Sequence, residues 1–236
     1  MIPHNERGDA ELFSADPFSR QGTELGRGNA HDQVDTRSPI VLLPGLFAGA
    51  WIWKHTQGHL SSRGYQVITI RDPFALLNLG VTPISRLRCY LKEFFNKFNI
   101  DRAVLCGNSF GALVALDFAF HFPCRVDALV ISGSPGLHSE IKPDLPLPRA
   151  LTIEHAYAVA NLLCYDRSCL TSDRIETTYA LLSDRRALIT IARALKAARD
   201  YDVRCILPHI DCPVSMIWGT HDRVTPVAEW EREIRL

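Results

Sequence analysis

The sequence predicts an α/β fold: a mostly parallel sheet with helices on both faces and a helical lid inserted into it. Short, wholly apolar segments such as Pro39-Ile40-Val41-Leu42-Leu43 look like strands covered on both sides, because a strand with one wet face alternates apolar and polar residues. These segments alternate along the chain with stretches of helical period, the order that builds parallel β-α-β units. After Gly136 the alternation stops. A helical pattern without strands then runs from residue 152 to about 201, and a strand returns at Cys212.

Residues 1–38 are polar, rich in Gly, Asp, Arg and Asn, and carry no sustained periodicity, so a loose N-terminal segment is expected. The strand at 39–43 leads into Pro44-Gly45-Leu46-Phe47-Ala48-Gly49-Ala50, a loop of small residues whose backbone can approach a ligand closely. Trp51-Ile52-Trp53 opens a helix to about residue 62, with Gly64 in the usual C-terminal role. A strand follows at 66–70. Next, Ile84, Leu87, Leu91, Phe94, Phe95 and Phe98 recur at helical spacing, with Arg86, Arg88, Lys92, Glu93 and Lys97 on the other face. That aromatic stripe is read as core.

Residues 103–106 and 126–131 are the next strands. The segment 142–148, with prolines at 143, 146 and 148, is a stiff connection into three lid helices near 153–164, 173–182 and 184–200. A strand at 212–219 enters the turn Thr220-His221-Asp222-Arg223-Val224-Thr225-Pro226, and a last helix starts at Ala228. The domain division is therefore residues 39–136 with 209–236 as the sheet core, and 137–208 as the lid.

Between the strand at 103–106 and the apolar run from Ala112 stands Gly107-Asn108-Ser109-Phe110-Gly111. A Gly-x-Ser-x-Gly pattern alone is weak, but on a sharp turn from strand to helix it meets a physical need. A nucleophilic serine must stand proud of its backbone, and glycines on both sides let strand and helix approach. The helix start also aims N–H groups at whatever sits beside Ser109.

Basic and acidic side chains balance at 26 each, so no field attracts nucleic acid or an anionic membrane; a small-molecule partner is expected. The start of the chain lacks a basic and apolar leader, and no run is long enough to span a bilayer, which points to a cytoplasmic protein. Seven cysteines, odd in number and without a Cys-x-x-Cys pair, argue against a disulfide framework or a zinc site and read as reduced, mostly buried thiols.

Four pieces in this order resemble the α/β-hydrolase family: Leu42-Leu43-Pro44-Gly45 with Trp53 downstream, the Ser109 pentapeptide, the helical insertion, and the segment from Ile210 through Trp218-Gly219-Thr220-His221-Asp222. The resemblance covers residues 39–236. It implies that Ser109 is the nucleophile, that Asp222 is the acid of a Ser, Asp, His triad, and that the lid covers the pocket. It also implies an oxyanion hole from the backbone N–H groups of Leu46 and Phe110. Phe47 and Trp51 are candidate substrate-binding residues, with Trp53 and Phe74 as further wall or core residues. Serine at the elbow favours acyl transfer over chemistry through an aspartyl ester. The expected substrate is small and apolar, with an ester, thioester or activated C–C bond, and no metal or organic cofactor is implied, since a triad needs neither.

One departure stands out. The family places the histidine a helix and a strand beyond the acid, and none of the nine histidines, at 4, 31, 55, 59, 121, 138, 155, 209 and 221, follows Asp222. His221 is its neighbour; His138 and His155 lie near the lid. Without a base the hydroxyl stays protonated, so the chain as given is expected to be nearly inactive. Two accounts follow: a hydrolase whose C-terminal part is incomplete here, or a hydrolase-like protein that binds without turnover or works as a partner-dependent subunit.

Overall fold

Five parallel strands, in the order β2-β1-β3-β4-β5, form the sheet of this computed structural model, which describes residues 37–47, 49–70, 82–137 and 152–234. The strands are β1 (Ile40–Leu43), β2 (Val67–Thr69), β3 (Ala103–Asn108), β4 (Val126–Ser132) and β5 (Val214–Met216). Their register aligns Leu43, Gly107, Ile131 and Met216 across four strands. The chain segments that leave those strands therefore emerge along one edge of the sheet. Residues 1–36 of the predicted loose segment at 1–38, the stiff connection at 142–148, Phe74 and His138 lie outside the described residues.

All four residues of β1 are buried, and they divide between two cores. Val41 and Leu43 join the larger cluster, while Ile40 and Leu42 join Cys106 on the other face, against Trp53 and Leu60. That division follows from the two-residue period of a strand and explains why the segment is apolar throughout.

Helix α1 (Lys54–Ser62), entered through a 3₁₀ turn at Ala50–Trp53, covers this second face. Helix α2 (Pro83–Lys97) starts where Thr82 accepts from the Ser85 N–H and Pro83 takes the first position, a position where its missing donor costs nothing. Its predicted stripe buries Ile84, Leu87, Leu91, Phe94 and Phe95, and the Phe95 ring meets Phe118 at 5.2 Å. Each such ring contributes about 1.5–3 kcal/mol on burial. Phe118 belongs to α3 (Phe110–His121), which is buried from Phe110 to Ala119.

Between β4 and β5 come α4 (Ile153–Leu163), α5 (Ser172–Ser183) and α6 (Arg185–Asp200), within a residue or two of the predicted spans; α7 (Val227–Ile234) follows β5. Two expectations need correction. The strand expected at 212–219 is only three residues long, because among the described residues β5 pairs with β4 alone and the ladder stops at Met216. The cysteines are free, but not mostly buried: Cys106 is buried, whereas Cys89, Cys124 and Cys205 are exposed. Cys89 falls on the outer face of α2, and Cys124 and Cys205 fall in short surface turns.

Burial pushes the Cys106 thiol from 9.0 up to about 11. The folded state thus favours the neutral thiol, and this contribution to stability is lost as the pH rises from the unfolded value through the folded one. In thiol titration near neutral pH, Cys89, Cys124 and Cys205 are expected to react rapidly, and Cys106 only at the rate of unfolding.

Candidate active site

Ser109 sits at the junction of β3 and α3 with φ +53° and ψ −123°. A non-glycine residue held there costs on the order of 1–3 kcal/mol and persists only where its surroundings over-determine it. The surroundings do so. The Ser109 N–H donates to the Ser132 carbonyl at 2.7 Å, and the Ser109 carbonyl accepts from Ala112 at 2.9 Å. A Cβ on Gly107 would stand 2.5 Å from the Ala112 Cα, and one on Gly111 would stand 2.3 Å from the Leu43 carbonyl oxygen. The two outer glycines of the motif therefore press strand, helix and the end of β1 into one nest.

The loop after β1 closes over the serine. A Cβ on Gly45 would lie 2.9 Å from the Ser109 Cβ, which sets Leu46, itself buried, one residue from that contact. Phe110 and Gly111 open α3 ahead of the first intrahelical bond, which Ala112 donates. The positive end of a largely buried helix thus points at the Ser109 side of the sheet edge.

Asp222 stands in the turn beyond β5. Its Oδ1 accepts from the Val224 and Thr225 N–H groups at 2.9 Å each, and its Oδ2 accepts from the Thr225 hydroxyl at 3.0 Å. Trp218 donates to the Thr225 carbonyl and Trp230 to the Ser134 carbonyl, both at 2.7 Å. The Asp222 and Trp218 bonds close the turn on itself, and the Trp230 bond ties the helix that follows it to the residues beyond β4. The meeting point is Gly133, with φ +59°: a Cβ there would lie 3.2 Å from Asp222 Oδ2 and 3.9 Å from Asn108 Nδ2. Ser109 and Asp222 therefore share one end of the sheet, with Asn108 and Gly133 between them.

Lid residues touch both sides of this end. The Arg174 guanidinium lies 4.3 Å over the Trp51 ring, beside the loop after β1. On the other side Arg223 donates to the Asn161 carbonyl, and Tyr165 stacks on His221 at 4.2 Å. Phe47 is half-buried against the larger core, and Trp53 packs on the second. Trp51 is 38% exposed.

Five of the described histidines have partners of their own, and His55 is exposed on α1. His155 caps α4 through Thr152, His121 bonds the Asp117 carbonyl, and His59 pairs with Arg63. His209 lies against Phe120, while His221 bonds Thr220 as well as stacking on Tyr165. No group of three or more metal-ligating side chains occurs among the described residues. No described helix is long and apolar enough to cross a membrane.

Reading the residues alone missed Asn108, Gly133, Trp218 and Trp230 as parts of this arrangement. Gly133 carried a signal, a glycine directly after a strand, and Trp218 stands in the segment that carries the resemblance; Trp230 carried none beyond its neighbours.

A parallel sheet with a strained serine elbow at the end of its middle strand and helices inserted before its last strand defines a hydrolase-type α/β fold. The profile of the alpha/beta hydrolase family matches residues 40–236, and the chain belongs to that family. Among characterised relatives, a 2-hydroxy-6-oxononadienedioate/2-hydroxy-6-oxononatrienedioate hydrolase of Paraburkholderia phymatum is 31% identical over 229 residues, covering 87% of this chain and 78% of the relative. An alpha/beta hydrolase from a metagenome of Mar Chica lagoon sediments superposes with a TM-score of 0.64 at 28% identity, over 84% of this chain and 75% of that one. A meta-cleavage product hydrolase of Pseudomonas fluorescens IP01 superposes with a TM-score of 0.71 at 20% identity, over 85% and 79%.

The Gly111 contact gives a direct test of the nest. Gly111→Ala is expected to cost about 3 kcal/mol or more, because its new methyl meets backbone oxygen and cannot rotate away. Ala115→Gly, deeper in the same helix, is expected to cost about 1 kcal/mol from the backbone, plus the loss of its buried methyl. Urea unfolding of both variants makes the comparison.

Proposed function

We propose that this chain is a serine hydrolase that adds water across the carbon–carbon bond beside a ketone in a small 2-hydroxy-6-oxo-dienoic acid. The observation that carries the reading is the positive φ of Ser109 under the Gly45 loop, a strain that the fold has no structural use for. The relatives' names supply the substrate class. Such a compound holds no ester or amide, so a hydrolase must cut it at the carbon–carbon bond next to the 6-oxo group.

The roles follow from the chemistry. Ser109 Oγ adds to the 6-oxo carbon, and the oxygen that becomes negative is met by the N–H groups of Leu46 and Phe110, each such donor being worth about 3 to 4 kcal/mol. The bond between C5 and C6 breaks once the 2-hydroxy proton has shifted to C5, so that its electron pair leaves into the conjugated 2-oxo-3-ene system as a dienolate, which takes up a proton. Water then releases the acyl group as the acid. Asp222, with three hydrogen bonds fixing its carboxylate, is suited to orient a protonated base and to hold its charge. Phe47 and Trp51, at the mouth of the loop after β1, face the apolar part of the substrate. Free thiols throughout the described chain fit a reducing, cytoplasmic setting.

The 236 residues contain no histidine after Asp222, and five of the described histidines are bonded or packed against other partners. The chain expressed as it stands therefore turns over slowly, and added imidazole accelerates it by serving as the base. The same observation favours a second reading, a hydrolase-like protein or subunit that binds this class of acid without cleaving it.

Loss of the dienol absorbance of a 2-hydroxy-6-oxo-dienoic acid separates the two. The proposal expects slow decay that imidazole speeds, and that Ser109→Ala reduces at least about a hundredfold. Decay equal in the parent and Ser109→Ala removes the serine from the mechanism. Substrate binding without Ser109-dependent decay, with imidazole present, establishes the silent reading.

A further inference from the structure

The helix that Ser109 caps buries one charged side chain that this chemistry does not use. Asp117, two turns beyond Ser109 and 1% exposed, accepts from Arg88 Nη1 of α2 at 3.1 and 2.9 Å and from the Tyr201 hydroxyl at 2.8 Å. His121 Nδ1 stands 3.5 Å from the same carboxylate. Buried carboxylates cost several kcal/mol unless paired, and well-packed apolar residues often replace such groups without loss of stability. The charge therefore needs a reason other than holding the core together.

The partners give one. Tyr201 is the first residue after α6, where the chain returns from the lid. Two residues on, the Val203 N–H donates to the Gly136 carbonyl at 2.8 Å, and Asp202 bridges Leu137 in antiparallel fashion. The strands of chain that enter and leave the lid are thus tied to each other. They are also tied to α3: a Cβ on Gly136, which has φ +109°, would lie 2.7 Å from Val203 Cγ1 and 3.1 Å from Leu113 Cδ1. Leu113 and Asp117 are one turn apart on one face of that helix. At its other end the lid rests on Trp51 and on the Asp222 turn through Arg174, Asn161 and Tyr165.

We infer that Asp117 is a positioning residue: through Tyr201 it seats the paired stems of the lid on the helix that carries Ser109, and so sets how the lid meets Trp51 and the Asp222 turn. Arg88 aims the carboxylate through hydrogen bonds to both of its oxygens. Burial, and then the bond to Asp117, push the Tyr201 hydroxyl well above its ordinary range, so it remains a donor at every working pH. The importance of this seat for turnover rests on Ser109 being the reacting residue; the seat itself does not.

Hydrogen–deuterium exchange of the folded chain reads the seat without any turnover, so a failed Ser109→Ala test leaves it intact. Tyr201→Phe removes one hydroxyl and leaves the Arg88–Asp117 pair in place, which keeps the variant folded. The expected result is about tenfold faster exchange in α4–α6 and at the Val203 amide, from the loss of a hydrogen bond to a charged acceptor, with β3 and α3 amides unchanged. The fluorescence of Trp51, taken as the difference from Trp51→Phe, is expected to shift towards that of Arg174→Ala. Asp117→Asn, which keeps an acceptor for Tyr201, is expected to exchange less in the lid than Asp117→Ala. Lid exchange unchanged in Tyr201→Phe, or accelerated equally in β3 and α3, overturns the inference.

Discussion

Everything at the functional end of this protein depends on one backbone conformation, the positive φ of Ser109. A serine gains nothing locally from that region of φ and ψ, so packing must impose it. Three neighbours do so: the Ser132 carbonyl that takes its N–H, the turn of α3 that approaches Gly107, and the end of β1 that fills the space beside Gly111. The last two would each be displaced by a single methyl group. The register of four parallel strands brings these pieces to one level, so the sheet serves less as a scaffold for the serine than as the source of its strain.

The same register brings Asp222 to the serine's end of the sheet. β5 is short and lies at the sheet edge, with Val214 42% exposed, yet the turn that follows is fixed by bonds from Trp218, Trp230 and Thr225. Rigidity there comes from side chains packed across to β4, not from the ladder. The lid is held in a different way. A cation–π contact, a ring stack and one hydrogen bond from Arg223 join it to the rim, and the first two are weak individually, whereas its stems carry a hydrogen bond to a buried carboxylate and a backbone bridge. That contrast describes a body anchored at its base and lightly held at its tip.

Much of this was legible in the residues. The fully apolar β1, the stripe of α2 and the glycines around Ser109 each state a local requirement that the fold then meets: two-sided burial, one buried face, and close backbone approach. The lid helices fell within a residue or two of their predicted limits because their polar and apolar faces are distinct. What could not be read depends on contacts between distant segments. The length of β5 is set by its pairing with β4, and the exposure of Cys89, Cys124 and Cys205 depends on which helix face or turn they occupy. Asp117 sits in an apolar helix where sequence gives no sign of Tyr201, 84 residues further on. The convergence of Asn108, Gly133 and Asp222 likewise joins the ends of β3 and β4 to the turn beyond β5, and periodicity is silent on it.

The most direct measurement of the central claim is peptide mapping of a fluorophosphonate adduct formed on the folded chain with imidazole present. A serine activated by the fold carries the adduct on the peptide containing Ser109 and nowhere else, and loses it when the protein is unfolded first. An adduct spread over other serines, or formed equally after unfolding, would show that the strained elbow does not make Ser109 a nucleophile.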